Sequence, residues 1–324
     1  MTEGHAEPMR VGAIGVGTHA LTSILPNLPG AGMTLSATCA RHLDRAEAAA
    51  ARFGARAGFD DAERMLDALA LDGVVVVVPP DQFSSVVRVC IRRGVPVFAE
   101  KPAANDAAEA ADLAAEAAES GVPVVVGYMK RFAGAYRLAK ELTGKPEFGA
   151  LTMGSFTWSM GPFADRFDMR DWLFENPVHH FDLARFFFGE LEEIHVRRGE
   201  GTEHTVVVLA TSESGALVNI RANTTGSWEQ HNEAVEIFGE GHSLFVDNID
   251  TCTWRPPTRP EHTWRPNYTV PVALNMTSAT MGFGPELEHF RRVVTEGIPN
   301  ESGIASAAAT LALTSQIAEQ ALQA

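Results

Sequence analysis

The chain is expected to fold as an α/β protein in two parts. Residues 1–127 form a doubly wound parallel sheet, and residues 128–324 form an α+β part built on a large open, mostly antiparallel sheet. Three observations carry this reading. A length of 324 residues with 45% hydrophobic content is long for a single core. Up to Gly127, short valine-rich runs alternate with helical stretches, the pattern of parallel strands covered on both faces. Beyond Gly127 the apolar runs lengthen and alternate in polarity at every second residue, as in a sheet with one wet face.

In order along the chain, runs 11–15, 35–39, 74–78, 95–99 and 124–126 read as strands. Stretches 20–28, 43–53, 61–69, 84–93 and 104–120 read as the helices between them. The last has a cap at Asn105 or Asp106 and a stop at Ser120-Gly121. In the second part a helix at 131–142 is followed by strands at 151–158, 194–198, 205–209, 216–224, 235–238 and 243–246. In one of these, Val218, Ile220 and Ala222 alternate with Asn219, Arg221 and Asn223. A helix at 177–188 interrupts the strands, and helices near 285–295 and 303–322 close the chain. Thr253-Trp254-Arg255-Pro256 recurs as Thr263-Trp264-Arg265-Pro266. The prolines assign both copies to loops or edge strands, and a surface hairpin is preferred to a subunit contact or a substrate mouth. An open sheet leaves a large face uncovered, so a homo-oligomer, dimer or tetramer, is expected.

The formal net charge of −15 disfavours nucleic acid and anionic membranes as partners. Cys39, Cys90 and Cys252 are widely spaced without a CxxC pair, which argues for inert thiols in a reducing compartment and against a disulfide framework or zinc site. Residues 1–10 lack the basic-then-apolar pattern of a leader, and the longest apolar run, 74–78, is strand-sized. A cytoplasmic, metal-free protein is the resulting expectation.

Gly15-Val16-Gly17-Thr18-His19-Ala20 follows the first strand and opens a helix. Gly15, Gly17 and Ala20 fit the G-x-G-x-x-G/A fingerprint of Rossmann dinucleotide-binding domains. The first glycine allows the turn, the second lets a pyrophosphate approach, and the alanine lets helix and strand pack. Thr18 and His19 stand at the helix N-terminus that would receive the phosphates. At the end of the second strand an NAD site usually carries an acid for the ribose. Here Ala40 occupies that place and Arg41-His42 follow. A missing carboxylate and a nearby guanidinium favour a 2′-phosphate, hence NADP(H), with NAD(H) possible.

The fifth strand runs into Glu100-Lys101-Pro102. With the fingerprint, Gly127-Tyr128-Met129-Lys130-Arg131-Phe132, the stretch from Glu175 to Gly189, and Phe238-Gly239-Glu240-Gly241, the chain resembles the glucose–fructose oxidoreductase / inositol dehydrogenase (Gfo/Idh/MocA) family over nearly its whole length. The resemblance implies an NAD(P)-dependent dehydrogenase or reductase acting on CH–OH groups of a sugar, inositol or other polyol. It gives Lys101 a place at the junction of cofactor and substrate, where an ammonium steadies the reacting oxygen. Glu100 joins the cofactor set, and Lys101–Pro102 is a candidate cis peptide. His179 inherits the acid/base role of an Asp-x-x-x-His pattern, with Glu175 in place of the aspartate and Pro177 in place of a glycine. Asp182 lies three residues on and could fix the His179 tautomer or raise its pKa. Asn176 is a candidate helix cap. Pro79, Pro80 and Gln82 are candidate walls of the nicotinamide–ribose pocket, although the histidine that many relatives carry nearby is missing.

Candidate substrate contacts are Tyr128 and Arg131 by family position, His180 as a packing or pocket-wall residue, and Asp165, Arg166 and Trp172 from a segment that is equally an ordinary charged loop. Adjacent histidines on a helix point about 100° apart and cannot both grip one ion, so His179-His180 is not a metal site. The expected chemistry has Lys101 and His179 meeting beside a nicotinamide ring, with Glu175 or Asp182 orienting them. Alternatives are a cofactor-sensing regulator without catalysis, or a dehydrogenase for a non-sugar such as a dihydrodiol or a tetrapyrrole.

Overall fold

The computed structural model describes residues 7–162, 167–200, 204–229, 232–267 and 280–323, and divides into two compact units. The first contains strands β1 (Met9–Ile14), β2 (Met33–Cys39), β3 (Ala57–Phe59), β4 (Gly73–Val76), β5 (Val97–Glu100) and β6 (Val124–Gly127). They form one all-parallel sheet in the order β3-β2-β1-β4-β5-β6. That order reverses between β1 and β4, and the crevice beyond the strand ends at such a reversal is where ligands settle. Every residue of β4, β5 and β6 is buried, as their continuous apolar sequences require.

Between the strands run α1 (Leu43–Phe53), α2 (Ala62–Ala68), α3 (Pro80–Arg92) and α4 (Ala107–Ser120). The Asp106 carboxylate caps α4 by accepting from the Glu109 amide at 2.9 Å, and Gly121 ends it in the left-handed region. Helix α3 starts one turn before the expected residue 84, because Pro80 is preorganised for the first helical position. The helix expected at 20–28 is a π turn, Ala20–Ile24, followed by a 3-10 turn, Leu25–Asn27. Pro26 has no amide to donate, which prevents a regular α ladder there. Strand β3, three residues at the sheet edge, was too short to show any periodicity.

The first unit takes in the chain up to Gly127 and also a stretch near its other end. Phe283–Ala308 belongs with the first unit, which corrects a second part running unbroken to residue 324. The reason is burial. Leu287, Phe290 and Val293 lie on one face of helix Phe283–Glu296 and join Met9, Val11, Val75, Phe98 and Val125 in a single core.

The second unit holds an eight-stranded sheet in the order β14-β13-β12-β11-β7-β10-β9-β8. Its strands are β7 (Leu151–Ser159), β8 (Leu191–Arg198), β9 (Thr205–Ser212), β10 (Leu217–Asn223), β11 (Asn232–Gly239), β12 (His242–Asp247), β13 (Thr251–Arg255) and β14 (His262–Trp264). Only β7 and β10 pair in parallel; the rest is antiparallel. The two Thr-Trp-Arg-Pro copies form the β13–β14 edge hairpin, with Thr253 opposite Thr263. Helices α5 (Gly134–Thr143), α6 (Met169–Glu175) and α7 (Val178–Phe188) belong to this unit. The single helix expected at 177–188 is preceded by α6, whose start is capped by Asp168 accepting from the Asp171 amide at 2.8 Å. Asn176 ends α6 instead of capping α7. The other sheet face carries Met153, Val207, Leu209 and Leu217 as exposed large apolar side chains. Among the described residues no helix is long and apolar enough to cross a membrane.

Candidate functional site

In the first unit the fingerprint turn has the geometry its sequence requires. Gly15 has φ +94°, and a β-carbon there would stand 1.9 Å from the Val77 carbonyl oxygen, so only glycine fits. A β-carbon on Gly17 would meet no protein atom within 4 Å, which leaves room for a phosphate to approach the backbone. Ala20 is fully buried. The turn thus fits a dinucleotide's pyrophosphate on the protein's own geometry.

Beside it lies a cavity of about 360 Å³. Its wall includes Gly15, Gly17, Ala40, Arg41, His42, Pro79 and Gln82 from the expected set, and also Arg45 and Asp60. Thr18, His19, Ala20, Pro80, Glu100 and Lys101 are not part of that wall. Arg45 lies in the first turn of α1, four residues after Arg41. Asp60 follows β3, whose Phe59 pairs with Cys39 of β2. The two arginines thus outnumber the one carboxylate, which is itself bonded to Arg64 at 3.1 Å.

Glu100 ends β5. It meets His19 Nε2 with Oε1 at 2.9 Å and accepts from the Lys101 amide with Oε2 at 3.2 Å. The His19 ring also packs edge-on against Phe283, with centroids 5.5 Å apart. Glu100 thus spends its oxygens inside the protein, a correction to its expected place among direct cofactor contacts. Lys101 is half-buried, and the Lys101–Pro102 peptide is cis.

In the second unit His179 sits in the first turn of α7, half-buried, with its ring edge-on to Tyr128 at 6.1 Å. Glu175 is the last residue of α6 and is half-buried. The Asp182 carboxylate accepts two hydrogen bonds from the Arg131 guanidinium, each 2.6 Å, and one from the Thr310 hydroxyl at 3.0 Å. Asp182 thus bonds Arg131 and Thr310, whereas the sequence suggested that it could fix the His179 tautomer or raise its pKa. Arg131 lies over the Tyr128 ring at 5.9 Å, and so supports the aromatic that His179 packs against. Burial and the Asp182 charge push the Tyr128 phenol far above its ordinary range.

His180 has no exposed surface, and burial together with the Lys130 charge brings its pKa down to about 3. It stays neutral inside a buried group in which Lys130 and the Tyr136 hydroxyl both bond Glu233. Burial raises the Glu233 carboxyl, but the Lys130 ammonium and these hydrogen bonds outweigh it and set a pKa of about 2. This group was not legible in the sequence, because its members come from four separate elements. Trp172 is also fully buried, against Trp158 and His204 with centroids at 6.0 and 5.2 Å. His180 is therefore a packing residue, one of the two roles expected of it, and the burial of Trp172 corrects its expected place among the substrate contacts. Tyr128 and Arg131, likewise buried, serve the interior network described above. Asp165 and Arg166 lie outside the described residues. No group of three or more metal-ligating side chains is gathered among the described residues.

A fingerprint turn at the reversal of a six-stranded parallel sheet, opening on a cavity with two arginines, defines a Rossmann dinucleotide-binding protein with an appended α+β unit. The chain belongs to the Gfo/Idh/MocA oxidoreductase family. Residues 9–128 match the model described as "Oxidoreductase family, NAD-binding Rossmann fold", and residues 136–245 match the "GFO/IDH/MocA C-terminal domain". Among curated relatives, an inositol 2-dehydrogenase of Leifsonia xyli is 31% identical over 204 residues, which is 60% of this chain and 60% of that protein. The chain thus spans about three fifths of that relative. Among solved structures, a dehydrogenase from Chromobacterium violaceum superimposes with a TM-score of 0.85 at 24% identity, covering 98% of each chain. A levoglucosan dehydrogenase, in complex with NADH and L-sorbose, gives 0.87 at 17% identity, again covering 98% of each. At those identities the structures attest the fold alone.

Proposed function

We propose that the protein is an NAD(P)-dependent dehydrogenase acting on a CH–OH group of an inositol, sugar or related polyol, with NADP(H) favoured over NAD(H). The observation that carries the reading is the glycine turn opening onto a cavity rimmed by Arg41 and Arg45. The named inositol dehydrogenase relative supports the substrate class. Arg41 and Arg45 would hold a 2′-phosphate through charge-assisted bonds, and Gly17 would admit the pyrophosphate. When bound, the nicotinamide supplies the hydride acceptor or donor.

The remaining work falls to side chains. The Lys101 ammonium stabilises negative charge on the reacting oxygen, and His179 takes or returns the hydroxyl proton. Glu175 orients the substrate end of this machinery. Tyr128, held under Arg131 and Asp182, fixes the His179 ring. The three free, buried cysteines suit a reducing cytoplasm. The apolar row Met153, Val207, Leu209 and Leu217 suits association of sheet faces into a homo-oligomer.

Lys101→Ala is expected to bind NADP(H) with unchanged affinity by calorimetry and to lose turnover on a panel of inositols and sugars. Undiminished single-turnover rates in that variant would remove Lys101 from the mechanism. A wild-type protein that binds the nucleotide yet turns over no panel member would favour a cofactor-sensing role.

A further inference from the structure

Glu286 is the most unusual acid of the first unit. It lies in the first turn of helix Phe283–Glu296, has no exposed surface, and neither carboxyl oxygen makes a hydrogen bond among the described residues. A buried carboxylate left in that condition is costly, and groups of this kind call for an explanation. Its electrostatic neighbour is Glu100, and burial acts with that neighbouring charge to keep the Glu286 proton in place. A carboxyl buried beside another acid resists ionisation, so Glu286 holds its proton.

Glu100 itself bridges two elements of the unit. One of its oxygens meets His19 of the dinucleotide turn and the other accepts from the Lys101 amide. The carboxyl also lies against the end of β6, where a β-carbon on Gly127 would come within 3.2 Å of it. Phe283, in the same helical turn as Glu286, packs on the His19 ring. The helix therefore presents an acid to Glu100 and an aromatic to the histidine that Glu100 binds.

We propose that Glu286 is a protonated acid standing behind Glu100, and that Glu100 is a positioning residue that ties the dinucleotide turn through His19 to the peptide of Lys101. Glu286 keeps its proton in this role and passes it to no other group. Filling the turn with a dinucleotide then steadies the Lys101 backbone through two hydrogen bonds. The importance of Lys101 rests on the function proposed above; the chain of contacts does not.

The test uses full-length protein without cofactor first. The infrared spectrum at neutral pH should show a protonated-carboxyl band that Glu286→Gln removes while the fold, by circular dichroism, stays intact. His19→Phe keeps a ring against Phe283 and deletes the bond to Glu100. It should speed hydrogen exchange at the Lys101 amide by about fivefold or more, although 82 residues separate the two positions in sequence. Nucleotide titrations should then show His19→Phe and Glu100→Gln each weakening binding by roughly tenfold, with the double variant no worse than either single one. A carboxyl band that survives Glu286→Gln, unchanged exchange at Lys101, or additive losses in the double variant would each overturn the proposal. A wild-type protein that binds no nicotinamide nucleotide would instead sink the proposed function, while the band and the exchange rates still decide the acid pair.

Discussion

Under the proposed preference for NADP(H), the charge around the cavity beside the glycine turn is what would select the nucleotide. Arg41 and Arg45 contribute two positive groups and Asp60 one negative group already engaged by Arg64. Replacing both arginines by alanine is expected to weaken NADP(H) by about tenfold or more and leave NAD(H) within about threefold, as titration with each nucleotide would show. Arg41 was legible in the sequence because it follows the second strand. Arg45 and Asp60 were not, since one needs the turn of α1 and the other the edge strand β3 to reach the cavity. Glu286 gives a second prediction at this scale. The unfolded chain ionises it near 4.5, whereas the folded protein holds its proton well above that value. From pH 4.5 upward the unfolded state therefore loses a proton that the native state keeps, and stability falls as pH rises towards the folded pKa. Glu286→Gln lacks this penalty. Its melting temperature should rise relative to wild type between pH 4.5 and 7, with the smallest difference at the acidic end, in a series of thermal melts.

At the scale of elements, α7 and its supports show how the second unit holds the His179 imidazole. Arg131 and Asp182 are buried together, with side chains 6% and 1% exposed, and Thr310 adds a bond from the C-terminal helix Ile304–Gln323. Removing one partner strands the other charge. Asp182→Asn is expected to destabilise the protein by about 3–5 kcal/mol in denaturant melts, even though the substitution is isosteric. Periodicity exposed α7, α4 and most strands of the large sheet, because apolar spacing and caps such as Asp106 are local signals. It missed α6, whose seven residues mix charge with aromatics, and it misread the stretch after Gly17, where Pro26 imposes a π and 3-10 path. The Lys130–Glu233–Tyr136 group is a matter of tertiary placement, with no signature at any spacing.

For the whole molecule, the uncovered sheet face predicts assembly. Leu209 and Leu217 project from neighbouring antiparallel strands and are 55% and 61% exposed. Aspartate at both positions should shift the sedimentation profile towards monomer; an unchanged profile would move the interface elsewhere. The sequence revealed two architectural halves and their order, yet it did not reveal that the first is assembled from distant stretches of chain. Leu287, Phe290 and Val293 complete its core, more than 150 residues after β6 has been made. During synthesis Phe98 and Val125 therefore lack part of their cover until the segment holding Leu287, Phe290 and Val293 is free to pack on them. A protease or chaperone would meet that half without its cover until Leu287, Phe290 and Val293 have joined it.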